Sequence, residues 1–169
     1  PAVEAFLRRS MENLLARKGR FERMVGDYGP PEGNRDFIDA ICELLNDQFG
    51  WGIHAKNVAL TNGSQSAFFI LFNIFAGQFE GGLKKKILLP LTPEYIGYND
   101  VGLAEDLFVA GKPEITHIDE HIFKYHVDFE KLPITNEIGA ICVSRPTNPT
   151  SNVLTDSEIE RLADLARLN

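Results

Sequence analysis

Cysteine is scarce. Cys42 and Cys142 are the only two in 169 residues, and they stand too far apart to form a paired-thiolate metal or redox motif. Each lies in an apolar run, "DAICELL" or "AICVS", where a buried, reduced thiol of a cytoplasmic protein is expected. Long apolar stretches are missing too. The run from Ala67 to Phe72 is far too short to cross a bilayer and no leader pattern is visible, so no membrane partner is expected. Basic charge is in deficit, with 17 Lys and Arg against 24 Asp and Glu and a net charge of −7, which speaks against nucleic acid as the main partner. The one dense basic patch, Lys84, Lys85 and Lys86, follows Gly81 and Gly82 and reads as a solvated loop. Neither a G-x-G-x-x-G fingerprint nor a Walker lysine occurs, so a nucleotide-binding module is poorly supported. "HIDEH" spaces His117 and His121 as two zinc ligands on a helix might be. However, Ile118 stands where the helical zinc motif has its glutamate and no third ligand is evident, so a solvated loop is expected and no metal.

What is present describes an ordinary globular chain. Apolar residues make up 44% and charged residues 24%, enough for one domain with a real core. The chain opens on Pro1 rather than Met and stops at Asn169 inside a helical pattern, as a piece of a longer protein would. The opening twenty residues fit an amphipathic helix broken near Gly19, with Val3, Phe6, Leu7, Leu14 and Leu15 as its apolar positions. "GDYGPPEGN" is a turn-rich loop. Phe37, Ile38, Ile41, Leu44 and Leu45 stripe the next helix, which Gly50 ends. "NVALTNG" reads as a short buried strand, and the helix from about Gln65 to Phe75 is apolar on nearly all sides and should be covered on more than one face. "KKILLPLTP", the region of "EDLFVA" and "IGAICVSRP" read as further strands, the last as a central one. "FKYHVDFEKL" reads as an extended piece and a short helix. The closing helix begins at a capping box formed by Thr155 and Glu158. Strands alternating with helices predict an α/β fold, a three-layer αβα arrangement around a mainly parallel sheet.

Within that frame "TNGSQSAFFILF" poses a question, because it sets small polar residues at the mouth of the most apolar helix. The first N–H groups of a helix have no partner inside it, and the macrodipole turns its positive end toward them. Gly63 with Ser64, Gln65 and Ser66 therefore suits an anion, or else simply caps a helix through Ser or Asn. Three polar, Gly- and Pro-marked segments, "TNGSQS", "PLTPEYIGY" and "SRPTNPTS", follow three strands. A parallel sheet would bring all three to one edge, where ligands of such sheets bind.

These segments, with "YGPPEGN" and "SRPTNPTSNVLT", resemble the pyridoxal-phosphate aminotransferases of the aspartate-aminotransferase fold, over nearly the whole chain. The resemblance implies one incomplete domain, with an N-terminal helix over 1–27 and the first part of the cofactor-binding large domain over 28–169. It implies pyridoxal 5'-phosphate as cofactor. Gly63, Ser64 and Gln65 would lie at its phosphate, Tyr95 would stack on its ring and Asn148 would donate to the ring oxygen. Tyr28 would reach across a homodimer to the partner subunit's phosphate. Tyr98 is the nearby rival for the stacking role and otherwise packs on the core. Arg145 is expected in an ion pair within the fold. Ser151 replaces the glycine usual after "NPT", where a positive φ would be at home. The implied reaction moves an amino group between an amino acid and a keto acid, with valine and pyruvate giving 2-oxoisovalerate and alanine as the expected pair. The lysine that joins the cofactor aldehyde, the acid that protonates its ring nitrogen and the arginines that clamp the substrate carboxylate find no matching context here, so the segment alone is expected to be inactive. A ligand-sensing domain without activity, or a lyase on the same scaffold, is the alternative.

Overall fold

The computed structural model describes residues 2–168 and divides into two compact units between Thr61 and Asn62. In the first unit, α1 (Ala2–Ala16) and α2 (Arg20–Gly26) are separated by Gly19, whose φ of 79° supplies the left-handed turn. Helix α3 (Arg35–Phe49) begins where the Asn34 side chain accepts from the Phe37 N–H at 3.0 Å, and Gly50 ends it with a φ of 63°. Beyond it the Asn46 amide holds both backbone groups of Ile53, at 2.8 and 2.9 Å. Ile38 and Cys42 are buried, whereas none of α1 is.

The strand expected in "NVALTNG" does not form. Residues 58–63 run without a ladder, because no strand among the described residues lies alongside to complete one. Instead the Leu60 N–H donates to the Glu32 carbonyl at 2.8 Å. Its side chain packs so close to Gly33 that a Cβ there would stand 2.6 Å away.

The second unit opens with α4 (Ser64–Phe75), followed by the two-residue strand β1 (Gly77–Gln78) and by β2 (Lys84–Leu89), the sheet's centre. Strand β3 (Phe108–Ala110) and, after a separate hairpin of β4 (Pro113–His117) and β5 (Phe123–Val127), strand β6 (Ile138–Ile141) both pair parallel with β2; only β1 is antiparallel to it. Helix α5 (Asp156–Leu168) closes the chain.

Successive strand side chains point to opposite faces and so divide the core. On one face Ile87 joins Phe72 of α4, Tyr98, Val101 and Leu107, with Ala140 and Cys142 against them. On the other, Ile141 and Val143 pack with Leu91, Val127, Leu154 and Leu162 of α5. The result is the expected α/β sandwich of three layers with a mainly parallel sheet. Three local expectations fail. β6 is bonded on one edge only among the described residues, so the centre belongs to β2. Among the described residues only the sheet face and the segment from Tyr98 to Leu103 cover α4, leaving Phe69, Ile70, Leu71, Ile74 and Phe75 between 43% and 57% exposed. No helix follows β5: Asp128–Lys131 makes a turn, and Pro133, which lacks an N–H, follows too soon for one to grow.

The capping box is present in full and serves a second purpose. The Thr155 N–H donates to Glu158 Oε2 at 2.8 Å, and the Glu158 N–H to Thr155 Oγ1 at 3.2 Å. The other carboxylate oxygen accepts from the Val127 N–H at 3.0 Å and stands 3.2 Å from His126 Nδ1, fastening α5 to β5. Burial works against the charged form, but the N–H groups of Thr155 and Val127, the Thr155 hydroxyl and His126 outweigh it and hold the Glu158 carboxyl below its ordinary value of 4.5. A depressed carboxyl contributes stability that is complete above its unfolded value and is lost as pH falls through its folded one. Denaturant unfolding of the intact protein should therefore show a loss of stability below about pH 4.5. Glu158→Gln should blunt that acid limb, and Glu158→Ala should cost about 2–3 kcal/mol at neutral pH by orphaning buried donors.

Candidate functional site

Helix α4 starts without a side-chain cap. Its N-cap is Gly63, at φ 84° and ψ 163°, a backbone region closed to other residues, and a Cβ there would meet nothing within 4 Å. Ser66 turns its hydroxyl back to the Asn62 carbonyl at 3.0 Å. The residue at the cap has no side chain, so neither a Ser nor an Asn caps this helix, and its first-turn amides are the ones a helix cannot satisfy internally. Ser64 and Gln65 are exposed there. The Gln65 side-chain amide is directed sideways and donates to the Gly97 carbonyl at 3.2 Å.

Gly97 lies under Tyr95, and a Cβ on it would come within 2.4 Å of the Tyr95 ring, so only glycine lets that ring settle beside α4. Tyr95 is 37% exposed and meets Tyr98 edge-on, with centroids 5.5 Å apart. Tyr98 itself is buried at 6% between Phe68 and Phe72, and its hydroxyl is 2.9 Å from Ser144 Oγ. The two tyrosines thus divide as the geometry demands: Tyr98 packs on the core and Tyr95 offers the accessible ring. Burial, and after it the Glu94 charge, pushes the Cys142 thiol up to about 11. Burial likewise raises the Tyr98 phenol, so both groups stay protonated beside the site.

The third segment leaves β6 and folds back through Asn148. Its turn is braced by backbone: the Ser151 N–H donates to the Thr147 carbonyl at 2.7 Å, and the Thr147 N–H to the Asn152 carbonyl at 2.9 Å. Thr147 Oγ1 donates to the Ser144 carbonyl at 3.0 Å. Asn152 mimics a strand residue, pairing with the N–H and carbonyl of Tyr125 at 3.2 and 3.1 Å. Asn148 is exposed, and its side chain takes no part in these bonds. Arg145 is committed to the fold, through the Leu154 carbonyl at 2.8 Å and Asp156 at 2.6 Å.

Gln65, Tyr95 and the turn bearing Asn148 are therefore joined through one chain of contacts, by way of Gly97, Tyr98 and Ser144. Tyr28 belongs to the first unit, where it is fully exposed. "HIDEH" forms the tip of the β4–β5 hairpin, with Asp119 accepting from the N–H groups of His121 and Ile122 at 2.8 and 2.9 Å. Sequence reasoning missed Glu94 and Ser144, which tie the second and third segments together. Their only signal was their place beside residues already singled out. Chemically the rim offers main-chain donors at a positive helix end, an exposed aromatic ring and an uncommitted amide.

Residues 13–169 match the family described as aminotransferase class I and II. The chain is 49% identical over 166 residues to valine–pyruvate aminotransferase of Escherichia coli (strain K12), covering 98% of this chain and 40% of that protein. To aspartate aminotransferase of Pyrococcus abyssi it is 30% identical over 143 residues, covering 82% of this chain and 34% of that one. Among solved structures, valine–pyruvate aminotransferase from Salmonella typhimurium LT2 superposes with a TM-score of 0.82 at 46% identity, over 99% of this chain and 41% of that one. Alanine aminotransferase from Pyrococcus furiosus gives 0.66 at 22% identity, over 88% and 36%, a likeness of fold alone. The chain thus spans about two fifths of the length of the valine–pyruvate aminotransferases it matches.

Ser151 occupies the left-handed region, at φ 56°. A β-branched side chain there adds strain, whereas glycine relieves it at the cost of a more flexible unfolded chain. Thermal melts of the intact protein should rank Gly at or above Ser, with Ser151→Val less stable than either by roughly 1–2 kcal/mol.

Proposed function

The chain belongs to the class I and II aminotransferases, and from that membership we propose that it forms the pyridoxal 5'-phosphate-holding part of an enzyme that transfers an amino group from valine to pyruvate, giving 2-oxoisovalerate and alanine. The valine–pyruvate aminotransferases it resembles at 46–49% identity support that substrate pair, and the start of α4 supports the cofactor. The observation that carries the proposal is a glycine-opened helix end without a side-chain cap, in one chain of contacts with an exposed tyrosine and an asparagine-bearing turn. The donor set suits a phosphorylated aromatic ring. In this proposal residues 1–27 are the N-terminal helix and 28–169 the first part of the cofactor-binding large domain.

The residues divide the work of holding the group. Gly63 admits the phosphate close to the main chain, and the N–H groups of Ser64 and Gln65 with the Ser64 hydroxyl bind it at the positive helix end. Each such dipole interaction contributes about 0.3–1 kcal/mol when exposed and up to ~2 kcal/mol where water is partly excluded. Tyr95 stacks on the ring and fixes its plane, worth about 0.5–1.5 kcal/mol beyond the area it covers. Asn148 Nδ2 donates to the ring oxygen, adding about 1 kcal/mol. Tyr28 reaches the phosphate of a second subunit in a homodimer. Once bound, pyridoxal phosphate supplies an aldehyde for the amino group and a ring that withdraws electrons from the reacting carbon. The attacking lysine, the acid at the ring nitrogen and the arginines for the substrate carboxylate come from the remainder of the longer protein, which acts in the cytoplasm.

Adding pyridoxal phosphate to the full-length protein should produce a visible absorption band, and a screen of amino-acid and keto-acid pairs should find transfer from valine to pyruvate. Ser64→Ala with Asn148→Ala should weaken cofactor retention by roughly 10–100-fold; unchanged retention would refute the site. A band without transfer to any keto acid would point instead to a sensor or a lyase.

A further inference from the structure

Two strands leave the sheet in parallel at this rim, and a single side chain bridges their exits. Glu94 lies after β2, between Pro93 and Tyr95, and is half-buried. Its Oε1 accepts from the Ser144 N–H at 3.0 Å, just past the end of β6, and its Oε2 accepts from the Tyr95 N–H at 3.0 Å. Both oxygens of one carboxylate are thereby committed to main-chain donors on two different segments. A carboxylate is the group suited to this place, being an acceptor at both ends, whereas a glutamine would turn an NH₂ toward one of the two N–H groups. Hydrogen bonds to an ionised acceptor are also stronger than neutral ones. Beyond Tyr95, the Gln65 amide holds the Gly97 carbonyl at 3.2 Å. Tyr95 is thus tied on its N-terminal side to the exit of β6 and, two residues on, to the first turn of α4.

Given the cofactor site proposed above, we infer that Glu94 is a positioning residue. It sets the Tyr95 ring in register with the Asn148 turn, so that stacking and donation to the ring oxygen act on one ligand at once. Glu94 does not touch the ligand; it acts through Tyr95 and Ser144. The Tyr98 hydroxyl, 2.9 Å from Ser144 Oγ, is a second tie between the same segments, so removing Glu94 loosens the register without detaching the loop.

The test is a double-substitution cycle in the full-length protein, with pyridoxal phosphate as the probe, read by binding and by the circular dichroism induced in its visible band. Glu94→Ala should weaken binding about tenfold, the equivalent of one charge-assisted hydrogen bond, and should reduce the induced signal per bound cofactor. Glu94→Gln, which keeps one acceptor, should fall between. In a Tyr95→Ala background Glu94→Ala should have little further effect, because the ring it positions is gone. Glu158→Ala, on the opposite face of the sheet, should lower the melting temperature yet leave the induced signal intact, separating positioning from general loss of stability. Should Tyr95→Ala weaken binding while Glu94→Ala either leaves it unchanged or adds its full effect in both backgrounds, the positioning role is wrong and the cofactor site stands. Should Tyr95→Ala itself leave binding unchanged, the site is wrong and the positioning role falls with it.

Discussion

Parallel pairing of β2 with β6 is the constraint on which the site depends. Parallel strands leave a sheet on the same side, so two segments distant in sequence emerge as neighbours whatever their loops contain. The loops then exploit that proximity. Ser144 is bound in three directions: its N–H to Glu94, its hydroxyl to Tyr98 and its carbonyl to Thr147. Helix α4, packed on one face of the same sheet, brings its first turn to this rim through Gln65 and Gly97. An arrangement in which β6 ran antiparallel would send Asn148 to the opposite end of the sheet from Tyr95.

Structural and presented groups are kept apart at the rim. The Asn148 turn is held by the main chain of Thr147 and Ser151, by the Thr147 hydroxyl and by the Asn152 amide. The loop after β2 is held by Glu94, by Tyr98 and by the Thr92 hydroxyl on the Gly111 carbonyl. Because other groups satisfy the local backbone, Ser64, Tyr95 and Asn148 remain turned to solvent. On the far face Glu158 performs the equivalent service for α5, joining the helix start to β5 with one carboxylate. Buried carboxylates are tolerated in such places because each oxygen meets donors that would otherwise go unpaired.

Periodicity and punctuation made much of the fold legible. The α3 stripe ended by Gly50, the capping box at Thr155 and Glu158, the apolar run of β2 and the β-branched run of β6 all carried local signals of the elements that form, although of the α3 stripe only Ile38 is buried. Where the sequence misled, the missing information was non-local. "NVALTNG" has the composition of a strand, but a strand also needs a neighbour. The apolar surface of α4 promised cover on several sides, yet how much of it is covered depends on segments the helix itself does not encode. At the rim, the resemblance singled out Gly63, Tyr95 and Asn148 by motif. Glu94 and Ser144 were illegible because their importance lies in a bond spanning fifty positions, which no local pattern announces.

The elevated Cys142 thiol has a practical corollary. Electrophiles react with thiolate, and the burial and the Glu94 charge that push the Cys142 thiol up leave little thiolate at neutral pH for maleimides or mild oxidants to meet. Cys42 is shielded in the other unit by burial. A single cysteine introduced on the surface would therefore be labelled with a fluorophore ahead of the two that nature placed there.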